Sequence, residues 1–231
     1  MLHKTKGVVL SYIKYGETSI IVRIFTEAFG LQSYIVNSVR SKKARSKMAL
    51  YQPLTLLELV VYYKEGKSLQ RISELKCTYP FQSIPFTVSK STIGIFLGEL
   101  LSRIIRDEDK NEPLFEFLET RIEEFDKQTQ DTEDFHLIFL IELAFLLGFG
   151  PSQLDDIFEQ FGEHQGIKKK SEFDSNDLNK LILFIQNPTP KQINSNALRR
   201  STLNLLLNYY SVHVPAIGEL KSIKILNEVL N

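Results

Sequence analysis

Ser19-Ile20-Ile21-Val22-Arg23-Ile24-Phe25-Thr26 is the stretch on which the fold class turns. Side chains alternate along an extended chain, so Ile20, Val22 and Ile24 share one face while Ile21, Arg23 and Phe25 share the other. An arginine in the middle of such a run marks its face as one that is not simply core. The segment therefore reads as a strand whose first face lines an apolar interior while Arg23 projects from the opposite side. Tyr15-Gly16-Glu17 before it and Ala28-Phe29-Gly30 after it supply hairpin turn chemistry.

Working outward, Thr5 to Tyr12, Gln32 to Asn37, Thr55 to Tyr63 and Arg71 to Tyr79 are further short runs rich in Val, Ile, Leu, Thr and Tyr, with Gly66 between the last two. Five strands within about 80 residues, joined by short turns and one longer connection, predict a small barrel. The pattern then changes. Pro80-Phe81-Gln82-Ser83-Ile84-Pro85 reads as a linker, because two prolines so close together break either regular structure. Beyond it, Ile93, Phe96, Leu97, Leu100, Leu101, Ile104 and Ile105 recur at helical spacing, with Ser89 or Ser91 as a cap. Leu114 to Phe125 repeats the signature behind Pro113; Phe135 to Leu147 is apolar nearly all round and stops at Gly148 to Pro151; Asp177 to Gln186 and Gln192 to Tyr210 follow. The sequence thus predicts an α+β chain, a strand domain over residues 1–80 and an all-α domain over residues 81–231.

The 231 residues balance 28 Lys and Arg against 28 Asp and Glu. That neutrality excludes a uniformly basic protein but hides a split: residues 1–80 hold 13 basic and 5 acidic side chains, a net +8, which leaves −8 for the remainder. The densest feature is Arg40-Ser41-Lys42-Lys43-Ala44-Arg45-Ser46-Lys47, five cations in eight positions with no acid. Such a segment can make several phosphate contacts and release counterions, so its binding should fall with salt. The competing reading is a solvated surface loop. Tyr12, Tyr15, Phe29, Tyr34 and Tyr51 lie near the cations and could stack unpaired bases; core or hairpin packing is their competing role.

Catalytic patterns are sparse. There is no P-loop, dinucleotide fingerprint, HExxH or nucleophile elbow. Asp107-Glu108-Asp109 and the group Asp131, Glu133, Asp134 are the carboxylates that could hold Mg²⁺ for a nuclease, but acids between helices also serve as caps. His136 adjoins an apolar helix and reads as a boundary or core histidine. One cysteine, Cys77, precludes an internal disulfide and a cysteine-rich zinc cage. No catalytic residue, metal or cofactor is expected. With no apolar leader and no stretch long enough to span a bilayer, the chain reads as cytoplasmic, without a membrane partner.

Thr5-Lys6-Gly7-Val8-Val9-Leu10, Tyr15-Gly16-Glu17-Thr18-Ser19-Ile20-Ile21-Val22, Phe25-Thr26-Glu27 with Gly30, and Gln52-Pro53-Leu54 resemble the amino-terminal domain of the RecO family of DNA repair proteins. Pro113-Leu114-Phe115 and Leu146-Leu147-Gly148-Phe149-Gly150-Pro151 extend the resemblance into the helical half. It implies a five-stranded oligonucleotide-binding (OB) barrel followed by a helical domain. It further implies binding of single- and double-stranded DNA, annealing of complementary strands, and assistance to recombinase loading. The implied partners are RecR, the carboxyl-terminal tail of single-strand binding protein and, indirectly, RecF and RecA, in the cytoplasm and at the nucleoid. Many relatives carry a zinc-binding CxxC pair where Phe158 and Phe161 stand here, so the helical domain is expected to dispense with zinc.

The cations assigned to DNA are Lys4, Lys6, Arg23, Arg40, Lys42, Lys43, Arg45 and Lys47. Arg103, Arg106, Arg199 and Arg200 are candidates to flank an apolar groove for the acidic tail. The alternative to a DNA-binding mediator is a scaffold whose helical half docks partner proteins without direct DNA binding.

Overall fold

Ile20, Val22 and Ile24 are fully buried and meet Val9, Tyr34, Leu57, Leu59 and Val61 in one apolar core. Burial of one face of each strand closes the sheet around that core. The computed structural model describes residues 1–40, 45–106, 109–160 and 168–230. Its strands are β1 (Leu2–Tyr15), β2 (Ser19–Thr26), β3 (Gly30–Val36), β4 (Leu56–Tyr62) and β5 (Gln70–Cys77), joined as a closed barrel in the order β1-β2-β3-β5-β4. This is the small barrel that the first 80 residues predict, in the OB-fold arrangement that the family resemblance implies. A short helix α1 (Arg45–Met48) and a 3₁₀ turn (Ala49–Tyr51) lie between β3 and β4.

β1 is longer than the sequence suggests because it serves two neighbours. Its first half pairs with β4 from Leu2↔Tyr62 to Val8↔Leu56, and its second half pairs with β2 as far as Tyr15↔Ser19. The register shifts between Val9 and Ser11, and across that irregularity Val8, Val9 and Leu10 are all buried. The seam between β3 and β5 is much thinner: it is parallel and rests on Tyr34↔Gln70 and Ile35↔Arg71.

Helices α2 (Val88–Ile104) and α3 (Glu112–Lys127) pack against the barrel, and the first compact unit runs from Met1 to Lys127. Phe25, on the outward face of β2, meets Phe115 of α3 with ring centroids 6.2 Å apart. Gly98 lets α2 approach β1: a Cβ there would stand 3.1 Å from the Leu10 carbonyl oxygen and 2.5 Å from Pro53 Cβ. Strands give way to helices after Cys77, yet the compact unit continues 47 residues past the expected boundary at residue 80. Neither Ser89 nor Ser91 caps α2, which begins earlier, at Val88, behind an extended Thr87.

The segment 80–85 is no loose linker. Asp126, at the end of α3, accepts the backbone N–H groups of Gln82 (2.8 Å), Ser83 (2.9 Å) and Ile84 (2.8 Å). Lys90 of α2 donates to Ser83 Oγ (2.6 Å) and to the carbonyls of Phe125 (2.7 Å) and Asp126 (3.0 Å). Asp126 and Lys90 are each only 3% exposed. Burial alone would push the Asp126 carboxyl up, but the N–H groups of Gln82, Ile84 and Ser83 hold it below the usual range.

The second unit, Gln128 to Asn231, contains α4 (Phe135–Leu146), α5 (Leu154–Glu159), α6 (Ser175–Gln186), α7 (Asn196–His213) and α8 (Ser222–Val229). The central helix, α4, packs on α7 and is buried from Phe135 to Ala144 except at Glu142. Asp174 and Ser195 cap α6 and α7 by accepting the N–H groups of Asp177 and Leu198. The sequence pattern missed α5 and α8, whose six and eight residues are too short for a clear periodicity.

Candidate nucleic-acid interface

The barrel register places three rows on the outward face of β1, β2 and β3. Tyr15 pairs with Ser19; Ile13 pairs with Ile21, which pairs with Ile35 and then Arg71 of β5; Ser11 pairs with Arg23, which pairs with Ser33. Ile13 is 63% and Tyr15 is 50% exposed. None of these positions carries a carboxylate. The face therefore offers hydroxyls, apolar side chains and two arginines.

One edge of this face is the β1–β2 turn, where Gly16 has φ +57°. Arg40 ties the chain leaving β3 to that turn: its backbone N–H donates to the Thr18 carbonyl (2.9 Å) and its Nη1 to the Gly16 carbonyl (3.1 Å). The start of the basic segment is thereby fixed beside the β1–β2 hairpin. Arg45 opens α1 and Lys47 is exposed within it, whereas Lys42 and Lys43 lie outside the described residues.

At the other edge, Arg23 Nη1 donates to the Ser102 carbonyl at 2.8 Å, in the last turn of α2. Burial lowers the Arg23 pKa from its ordinary value, and Arg106 and Arg103 lower it further. The sequence offers no sign that these two arginines stand beside β2, since only the tertiary packing of α2 brings them there.

Lys4 and Lys6 occupy a different strip. They pair in register with Val60 and Glu58 of β4, and Lys6 Nζ binds both carboxylate oxygens of Glu119 in α3 at 2.9 and 3.0 Å. The hydrogen bond to Glu119 raises the Lys6 pKa, outweighing burial, so the ammonium is already matched inside the unit.

The aromatic candidates divide. Tyr34 and Tyr51 are core residues, Tyr12 packs against that core, and Phe29 stacks on Tyr63 at 4.1 Å. Only Tyr15 among the five is on the open face and largely exposed. In the helical unit, Asp134 is paired with Arg199 (2.8 Å) and Asp131 with Lys191 (3.1 Å), so those acids are engaged with cations rather than grouped around a metal. Asp107 and Glu108 lie outside the described residues. His136 is fully buried, and burial pushes its pKa down to about 3. Arg199 is thus committed to Asp134, and Arg200 is exposed one residue on.

Zinc does not fit at the positions where the resemblance implies a CxxC pair. Phe158 lies edge-on to Phe173 with centroids 6.0 Å apart, Phe161 is outside the described residues, and a phenyl ring has no lone pair for a metal. The described residues contain no group of three or more His, Cys, Asp or Glu able to hold a metal, and none of their helices is long and apolar enough to cross a membrane.

Comparison with known proteins agrees with this architecture. Residues 1–81 match the model of the family "Recombination protein O N terminal" and residues 85–222 match "Recombination protein O C terminal". The chain is 40% identical to the DNA repair protein RecO of Flavobacterium psychrophilum, and 37% identical to that of Flavobacterium johnsoniae, with 99% of each chain covered. It is 36% identical to the DNA repair protein RecO of Bacteroides fragilis over the full length of both. On two family models and these full-length likenesses, the chain belongs to the recombination protein O family.

Proposed function

We propose that the chain is a non-enzymatic recombination mediator that binds single- and double-stranded DNA, anneals complementary strands and assists recombinase loading on DNA coated by single-strand binding protein. The observation that carries this reading is the acid-free outward face of β1 to β3, with Arg40 anchoring a basic segment at its edge. Cations along that edge would neutralise phosphates and reduce the repulsion between two strands, which lowers the barrier to pairing. Phosphate contacts position a strand without reading its bases, so sequence preference should be small. RecR, the tail of single-strand binding protein, and indirectly RecF and RecA are the partners that go with the reading, in the cytoplasm at the nucleoid.

Among the eight cations assigned from sequence, Arg23, Arg40, Lys42, Lys43, Arg45 and Lys47 form the proposed site. Lys4 and Lys6 are better read as part of the β1–β4 surface, because Glu58 and Glu119 stand beside Lys6. The test replaces Lys42, Lys43, Arg45 and Lys47 by Ala, leaving Arg40 to hold the hairpin. Fluorescence titration of a labelled mixed-sequence strand across salt concentrations should show weaker binding and a salt slope smaller by about one for each phosphate no longer neutralised. Affinity and slope equal to those of the unmodified chain would refute the assignment.

A protein-docking scaffold is the second reading. It is favoured by an apolar groove of about 570 Å³ in the first unit, lined by Leu50, Pro53, Phe81, Ile84, Phe86 and Ile95 among others, with Phe86 78% exposed. Partner retention after nuclease treatment, together with no oligonucleotide binding, would select it.

A further inference from the structure

We propose that Tyr62 and Arg71 form a nucleotide subsite that carries a bound single strand across the β3–β5 seam and onto β4: the Tyr62 ring stacks an unpaired base and Arg71 holds a backbone phosphate beside it. The inference rests on the nucleic-acid reading above and extends the site past the β1–β3 face, to two residues outside the cations assigned from sequence.

Strand register places the pair. Ile13 is matched with Ile21, Ile21 with Ile35, Ile35 with Arg71, Arg71 with Tyr62, and Tyr62 with Leu2 at the start of β1. Directly opposed residues share a face, and the chain neighbours Tyr34, Gln70 and Val61 are buried, so the row points outward. Ile13, Leu2 and Arg71 are exposed, Tyr62 is 52% exposed, and Arg71 is the one charge in the row. Four inter-strand steps of about 4.8 Å carry this row from Ile13 to Tyr62 over roughly 19 Å, a path for the several nucleotides that an OB fold engages. Its first member, Ile13, lies two residues before Tyr15, at the hairpin that Arg40 anchors.

Both side chains are available. Tyr63 is taken up by stacking on Phe29, whereas the Tyr62 ring has no ring partner among the described residues. Arg71 makes no ion pair with a described carboxylate. The acids nearest to it in sequence are balanced by cations: Glu65 sits between Lys64 and Lys67 in the β4–β5 turn, and Glu74 lies opposite Val60, which faces Lys4 on its other side. The turn joining the pair is locked by Gln70, whose Oε1 accepts the Lys64 N–H (3.2 Å) and whose Nε2 donates to the carbonyls of Lys64 (2.7 Å) and Lys67 (2.9 Å). Tyr62 and Arg71 are thus held side by side before a ligand arrives, which removes an ordering cost from binding. An aromatic ring stacks any base that has an open face, and a planar guanidinium matches phosphate oxygens. Charge complementarity and continuity with the Arg40 edge make the occupant a nucleic-acid strand. Paired bases in a duplex have no open face to offer, so the subsite selects single strands.

The experiment compares the full-length chain with Tyr62→Ala, Tyr62→Phe and Arg71→Gln, and with the four-residue variant of the basic segment. The probes are a labelled mixed-sequence single strand and the duplex of the same sequence, each titrated at several salt concentrations. Tyr62→Ala should weaken single-strand binding about fivefold or more without changing the salt slope, and should leave duplex affinity as it was; Tyr62→Phe should bind like the unmodified chain. Arg71→Gln should lower the single-strand salt slope by about 0.7. Binding lost in the basic-segment variant, but unchanged in Tyr62→Ala or with an unchanged slope in Arg71→Gln, overturns the subsite and leaves the DNA reading standing. No strand binding by the unmodified chain overturns both. If Tyr62→Phe is as impaired as Tyr62→Ala, or if Tyr62→Ala weakens duplex and single strand alike, base stacking is not what Tyr62 contributes, and the inference fails.

Discussion

Asp126→Asn tests how the first unit is held together. The carboxylate accepts Ser83 and Ile84 N–H groups on one oxygen and the Gln82 N–H group on the other, at 2.8 to 2.9 Å. An asparagine can keep its oxygen toward Ser83 and Ile84, but its NH₂ then faces the Gln82 N–H donor. One charge-assisted bond is lost and two become neutral, which by typical values totals about 3 kcal/mol. Native Asp126 has a carboxyl pKa below the unfolded value of about 3.9. Its stabilisation is therefore present above that value and disappears as pH falls through the lower folded one, so the variant should lose this acid-dependent component. Urea unfolding at pH 7 should show the loss, and hydrogen exchange should accelerate at residues 82–84. An unfolding free energy within about 0.5 kcal/mol of the unmodified chain, with equally slow exchange at those amides, would refute the claim that Asp126 fastens the segment.

Gly98→Ala should destabilise by about 1–3 kcal/mol, since its Cβ would collide with Pro53 and crowd the Leu10 carbonyl; thermal unfolding reads this, and an unchanged midpoint would show that α2 shifts freely. Because His136 is buried with a pKa near 3, the unfolded chain takes up a proton below about pH 6.5 that the folded chain does not. Stability should fall by about 1.4 kcal/mol per pH unit from this group as pH drops from 6.5 toward 3, and His136→Gln should remove that slope in urea titrations at pH 7 and 5. Purified full-length protein should contain no stoichiometric zinc by elemental analysis, and a chelator should leave its unfolding midpoint unchanged.

The sequence is most readable where a local pattern carries the physics. The alternation of Ile20, Val22 and Ile24 against Ile21 and Arg23 is enough to assign both faces of β2, because period two is a property of the strand itself. The length of β1 is not readable in that way, since it arises from sharing one strand between two neighbours. Lys6 looks like a free cation until Glu119, 113 residues later, is brought beside it. The same remoteness hid the placement of Arg103 and Arg106 beside Arg23, and it made Pro80 to Pro85 look unattached. Charge was misread for a related reason. Residues 1–80 carry +8, but the compact unit ending at Lys127 adds 6 basic and 10 acidic residues, and its net charge is +4. Half of the apparent excess is offset by residues 81–127, which carry a net −4.

The two-rung seam between β3 and β5 sets where the barrel yields. A closed sheet has no free edge to recruit another chain, so the molecule is guarded against strand exchange as long as every junction holds. The junctions are unequal: β2 and β3 are matched over seven residue pairs and β1 and β4 over seven, against two at the seam. Under tension, the barrel should part like a clasp between Ile35 and Arg71. That line runs through the row proposed to carry unpaired bases, so a cargo bridging Ile35 and Arg71 would act as a rivet, and the loaded barrel should resist mechanical opening better than the empty one.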